Sequence, residues 1–332
     1  MRFVLDAEQR LFGETLGKLL TEAAVPGVVR DWAAGRRGRG LALWRTLAEA
    51  GVLAIAVPQS AGGAAGGAGP LPVELVTAFH ELGGHGVPGP YAETVAAAVL
   101  LDRLGEEALA SRWLPPIAEG RAVVALALPP AVPYALDADA ADLALLVDGE
   151  RLCAAVPGEA RASLDPARRL FPVTPGEVLA EGPHVAAAAA DAYDMGVLAC
   201  AAQLVGTGRR LLEVSVDYAK ARRQFGRPIG EFQAVKHHLA DALVGLEYAR
   251  PLVYGAALAY GTPDFARDVS AAKAAASEAA YAAAKIALQV HGAIAYTDEY
   301  DPSLLIRRAR ALHTAWGSPS DHRARVIGSL AG

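Results

Sequence analysis

Apolar positions recur at helical spacing over the first third of the chain. Asp6 followed by Gln9 forms a capping-box pattern, and Phe12, Leu16, Leu19 and Leu20 then fall on one face. Leu41, Trp44 and Leu47 mark a second helix that stops near Gly51. Beyond a glycine-rich loop, SAGGAAGGAGPLP at 60–72, the spacing predicts helices over 73–84, 91–104 and 106–119. The period then changes. AVVALALP, DLALLVDG and RLCAAV are short β-type runs separated by proline, aspartate and glycine. From about 186 the 3.6-residue period returns. It predicts one long helix over 186–222 and others near 231–260, 264–291, 302–315 and 320–330, with the short connections of an antiparallel bundle. The expected fold is mainly α with a small β domain. An N-terminal helical domain covers 1–120, a middle β domain 121–185 and a C-terminal helical bundle 186–332.

Composition narrows this picture. A chain of 332 residues with 53% hydrophobic and 20% charged residues is globular and large enough for two or three domains. Net charge is −5 and no basic block marks a nucleic-acid face; RRGRG at 36–40 reads as a solvated loop. The most apolar stretch, 184–206, carries Asp191 and Asp194, which argues against a membrane span. The opening residues are charged every few positions, unlike a signal peptide. Cys153 and Cys200 lack metal-type spacing and sit in apolar surroundings, as buried free thiols of a cytoplasmic protein do. The glycines of 60–72 do not form a phosphate loop, since no lysine follows them. Small residues on every face of 270–288 suit close helix–helix approach.

The most informative segment is YAKARRQFGRPIGEFQAVKHHLAD, 218–241. A helix is expected to end near Arg223, a turn to pass through Gly226, Pro228 and Gly230, and a new helix to start near Glu231. Arg222, Gln224 and Gln233 cluster around that turn. A guanidinium with amides beside it suits a pyrophosphate, and equally the ordinary finish of a helix.

This segment resembles the signature of the acyl-CoA dehydrogenase family, R-x-x-F-G-x-x-(I/L)-x-x-x-Q, filled here by Arg222, Phe225, Gly226, Ile229 and Gln233. QVHGAIAYTDEYDPSLLIRRAR at 289–310 is similar to a second family segment, and 43–63 with 80–94 to its N-terminal part. The resemblance implies FAD held between the β domain and the bundle, usually across a subunit interface. Arg222, Gln224 and Phe225 would lie along one flavin, with Gln233 near its adenine–pyrophosphate part. Gln289, His291 and Gly292 would reach a neighbour's FAD. Two glycines of that second segment are Ala293 and Ala295 here.

The family removes the α-proton of an acyl-CoA thioester with a glutamate while the β-hydrogen leaves as hydride. Counting from Arg307-Arg308-Ala309, the common base position falls on Trp316, followed by Gly317 and Ser318. The alternative position, on the long helix, falls on Gly196. An indole has no basic lone pair, so neither position holds a base. Ser318 matches a residue that hydrogen-bonds flavin in the family, and Asp194 a polar position contacting the CoA arm. Near 126–140 the family's threonine, glutamate and serine are absent, and the middle domain is short.

Three readings follow. The chain is the base-lacking subunit of a heteromeric acyl-CoA dehydrogenase, completing an α2β2 assembly with a catalytic paralogue. Alternatively it is an active homotetramer with a relocated base, Asp194, His313 or Asp321 being candidates, or a related flavoenzyme needing none. The third is a non-catalytic homologue that binds acyl-CoA or a protein. Trp316 taken alone is ordinary packing at a helix junction.

Overall fold

The computed structural model describes residues 5–64 and 70–331. Six helices open the chain: α1 Ala7–Glu22, α2 Val25–Ala33, α3 Gly38–Glu49, α4 Pro72–His85, α5 Tyr91–Arg103 and α6 Glu107–Ala118. The capping box forms as the sequence indicates: Gln9 N–H donates to Asp6 Oδ1 at 2.8 Å, and Asp6 N–H to Gln9 Oε1 at 3.1 Å. Helix α2 has no counterpart in the sequence reading. It starts at an αL residue, Ala24, and carries proline in its first turn, so the chain turns sharply into it. RRGRG is also not simply a loop. Its Gly38 begins α3, and a Cβ on Gly40 would stand 2.7 Å from Cζ3 of the buried Trp32 ring. Part of the glycine-rich 60–72 stretch, residues 65–69, lies outside the described residues.

The middle region is one mixed sheet of β1 Val124–Ala127, β2 Tyr134–Leu136, β3 Leu143–Asp148, β4 Arg151–Pro157 and β5 Leu170–Glu181, in the order β1-β3-β4-β5-β2. β1 runs parallel to β3; the other pairs are antiparallel.

Helix α7, Pro183–Ala221, is the axis of the molecule. It is long and apolar enough to cross a membrane by composition, yet 67% of that apolar window is buried inside the fold. Against it pack α8 Gln233–Leu258, α9 Phe265–His291, α10 Asp301–Thr314 and α11 Pro319–Ala331. The turn after α7 is tighter than the sequence suggests. α7 stops at Ala221, and Arg223–Gln224 pairs with Arg227–Pro228 as a two-residue hairpin. A 3-10 turn, Ile229–Glu231, then leads into α8. α7 also meets α4 backbone to backbone. A Cβ on Gly83 would stand 2.6 Å from Gln203 Cα, and one on Gly206 2.8 Å from the His80 carbonyl carbon. Thr207 Oγ1 donates to Gly83 O across the same contact at 2.9 Å.

Candidate functional site

The residues singled out by sequence fall into two groups, one beside the first half of α7 and one at its C-terminal end. Gly196 and Ala221 are separated by roughly 38 Å of helix at about 1.5 Å per residue.

The first group surrounds the turn between α10 and α11. Trp316 is 3% exposed and has φ of +58°, a left-handed conformation that a bulky side chain rarely adopts. Neighbours hold it there through backbone carbonyls. His322 Nε2 lies 2.8 Å from the Trp316 oxygen and Tyr193 Oη donates to the same oxygen at 3.1 Å. Lys273, fully buried on α9, donates to Leu312 O and Gly317 O at 3.3 Å and to Ser277 Oγ at 2.8 Å. Its ammonium thus closes the C-terminal end of α10, where a helix dipole favours a cation. Burial lowers the Lys273 pKa, with the Cys200 thiol opposing that shift.

The indole of Trp316 lies directly on Gly196. A Cβ at 196 would come within 2.6 Å of Trp316 Cε3 and nearer still to Cη2 and Cζ3. The two positions where a base is expected therefore occupy the same space, one filled by a ring and the other kept empty for it. Asp194, the expected CoA-arm contact, is turned inward. Its carboxylate takes both Nη1 and Nη2 of Arg325, the latter at 3.0 Å. Burial raises its pKa while Arg325 lowers it. Ser318 caps α11: its N–H and Oγ donate to Asp321 Oδ2 at 2.9 and 2.7 Å, and its Oγ pairs with Ser320. Those two hydrogen bonds hold Asp321 below its ordinary pKa. His313 lies tilted at 59° to Tyr281, with 5.1 Å between centroids.

None of Asp194, His313 and Asp321 lines the pocket beside Trp316. The carboxyl that does is Glu93 of α5, which sequence reading passed over. It is 3% exposed. Burial raises its pKa, while Arg168, the Trp316 indole N–H and Arg308 pull it back. No spacing rule links residue 93 to residue 316, so only the fold could reveal the pair.

The second group gathers where α7 ends and α8 begins. Phe225 is 91% exposed at φ +52°, with its ring edge-on to Phe232 at 6.2 Å. Gln224, Phe225 and Gln289 line one pocket of about 280 Å³. Gln289, expected at a neighbour's FAD, shares a wall with Gln224 and Phe225. Arg222 and Gln233 flank it, both exposed, and the Arg222 side chain donates to no acceptor among the described residues. His291 differs from expectation. It is buried between Tyr218 and Tyr300, with Nδ1 2.8 Å from Ala287 O, so its ring serves the helix and not the surface. Gly292 has φ of +67° and open space where a Cβ would stand. Ala293 and Ala295 are not among the positive-φ residues, so methyl groups are tolerated at both.

These donors suit the adenine–diphosphate part of FAD. A guanidinium and three amides face solvent without internal acceptors, apart from Gln224 Nε2, which donates to Arg223 O at 2.8 Å. A helix N-terminus, that of α8, stands beside them. At the Trp316 end the fit is poorer, because the Ser318 hydroxyl is spent on capping and the indole fills the space.

Helices, a small sheet and a helical bundle in this order, with such an end to α7, define an acyl-CoA-oxidising flavoprotein architecture. The chain belongs to the acyl-CoA dehydrogenase family: the N-terminal domain of that family matches residues 6–121 and its C-terminal domain residues 186–329. Acyl-CoA dehydrogenase IpdE2 of Mycobacterium tuberculosis is 36% identical over 327 residues, covering 96% of each chain. Among solved structures, the ChsE4-ChsE5 complex from Mycobacterium tuberculosis superposes with a TM-score of 0.85 at 24% identity, over 100% of this chain and 99% of that one. A glutaryl-CoA dehydrogenase from Mycobacterium smegmatis, solved in complex with FADH2, gives 0.81 at 20% identity over 99% and 95%. Those two likenesses concern the fold.

Proposed function

We propose that this chain is the base-lacking subunit of a heteromeric acyl-CoA dehydrogenase, binding FAD together with a catalytic paralogue in the cytoplasm. The observation that carries this reading is the packing of Trp316 on Gly196, which removes both base positions at once. Dehydrogenation of an acyl-CoA takes a proton from the α-carbon and a hydride from the β-carbon; FAD, when bound, accepts the hydride. At its Trp316 end this chain offers an indole where the proton must go, so the proton is taken on the partner's side. Its own contribution is at the other end, where Arg222, Gln224, Gln233 and Gln289 present donors for the dinucleotide phosphates and Phe225 projects for contact across an interface. The buried free thiols Cys153 and Cys200 agree with a reducing compartment.

Purified alone, the chain is expected to be flavin-poor and inactive. Co-expressed with a full-length family member encoded beside it, it should gain FAD and acyl-CoA-dependent reduction of an acceptor dye. A yellow, fully active homotetramer from this chain alone would sink the proposal. Glu93 favours a second reading, a relocated base. If Glu93→Gln in the active complex lowers kcat by about a hundredfold or more, the base belongs to this chain. A kcat within a fewfold of wild type leaves it with the partner.

A further inference from the structure

The pocket beside Trp316 encloses about 480 Å³, the size of a small-organic-ligand site. Its wall is largely apolar, with Val132, Leu136, Leu164 and Ala311 among the lining residues. Arg168 also lines it, at 9% exposure. Among the described residues, the Arg168 guanidinium has no hydrogen-bond acceptor and no ion-pair partner. The neighbouring buried Arg308 is the opposite case. Its Nε donates to Asp165 Oδ2 at 3.1 Å and its Nη1 to Val87 O at 2.6 Å. Arg168 is buried as a residue, but its guanidinium nitrogens are not among the fully buried unpartnered atoms, so they stay accessible to an acceptor entering the pocket. Arg168 carries five N–H donors in a planar fork that fits a carboxylate through two parallel bonds. Glu93 stands in the same wall, with no cation within ion-pair distance.

We propose that this pocket binds an apolar organic acid, its carboxylate paired with Arg168 and its hydrocarbon body against Leu136, Leu164 and Trp316. The inference stands on the unmatched guanidinium and the cavity, and does not depend on the partner-subunit reading. Its test needs neither flavin nor turnover.

Titration calorimetry of the full chain with 3-cyclohexylpropanoate should show one site, and the neutral 3-cyclohexylpropanamide should bind about tenfold or more weakly. Arg168→Met should weaken the acid by a similar factor while leaving the melting temperature of the free protein unchanged or higher, since an unmatched buried charge is lost. Arg168→Lys should keep part of the affinity. Equal binding of acid and amide, undiminished binding to Arg168→Met, or no binding to wild type would overturn the proposal. So would a drop of several degrees in the melting temperature of ligand-free Arg168→Met, which would make Arg168 a structural group.

Discussion

The surroundings of α7 at Gly196 and at its C-terminal end are built on opposite principles. At Gly196 the turn is packed and bonded: the indole fills the glycine's space, and Lys273, His322 and Tyr193 take up the carbonyls of the turn. At Ala221 the chain leaves a hairpin with Phe225 almost wholly in water and an arginine without an acceptor. The first end is finished within one chain. The second makes sense only when something else is added. A packed turn and an open hairpin thus stand at two points along one helix.

Substitutions at the closed end should cost folding stability and those at the open end should not. Trp316→Ala is expected to have the largest effect, destabilising by about 3–5 kcal/mol in denaturant titration, because a large cavity opens above Gly196. Gly196→Ala should cost about 1–3 kcal/mol by overpacking. Because the two residues touch, the double variant should lose less than the sum of both, and strict additivity would deny the contact.

Acid should loosen the same end. Burial, aided by the Lys273 charge, lowers the His322 pKa from 6.5 to about 4. As the neutral ring, it donates from Nε2 to the Trp316 carbonyl, and its Nδ1 is buried without a partner. The unfolded chain takes up the proton first, so stability present above about pH 6.5 is lost as the pH falls toward about 4. Melting curves across that window should show a shallower loss for His322→Gln than for wild type. The smallest effect on the free chain belongs to Phe225→Ala, within about 0.5 kcal/mol. Its consequence should appear instead as reduced flavin content of the co-expressed complex. A fall in the stability of the free chain would show that the open end is not independent of the fold.

Much of this was legible in advance. The Asp6–Gln9 cap, the return of helical period after 186 and the Arg222–Gln233 signature are local patterns, and local physics enforces them. Helix α2 was missed because Pro26 and a left-handed Ala24 look like a loop when Trp32 is not known to be buried under Gly40. That Trp316 stands where the family resemblance expects a base was readable in register. Its packing on Gly196, 120 positions earlier in the chain, was not. Neither was the presence of Glu93 and Arg168 in one pocket wall, contributed by a helix and an interstrand loop. His291 misled because a segment pattern fixes position and not the direction a ring faces.

The glycine contact between α4 and α7 has a mechanical consequence. At Gly83 and Gly206 main chain rests on main chain, so at that crossing no side chain separates α4 from α7. Any enlargement of a side chain at either glycine must therefore push the two helices apart. Hydrogen exchange should therefore be slow along both helices at that crossing and faster in the strands that roof the Trp316 pocket.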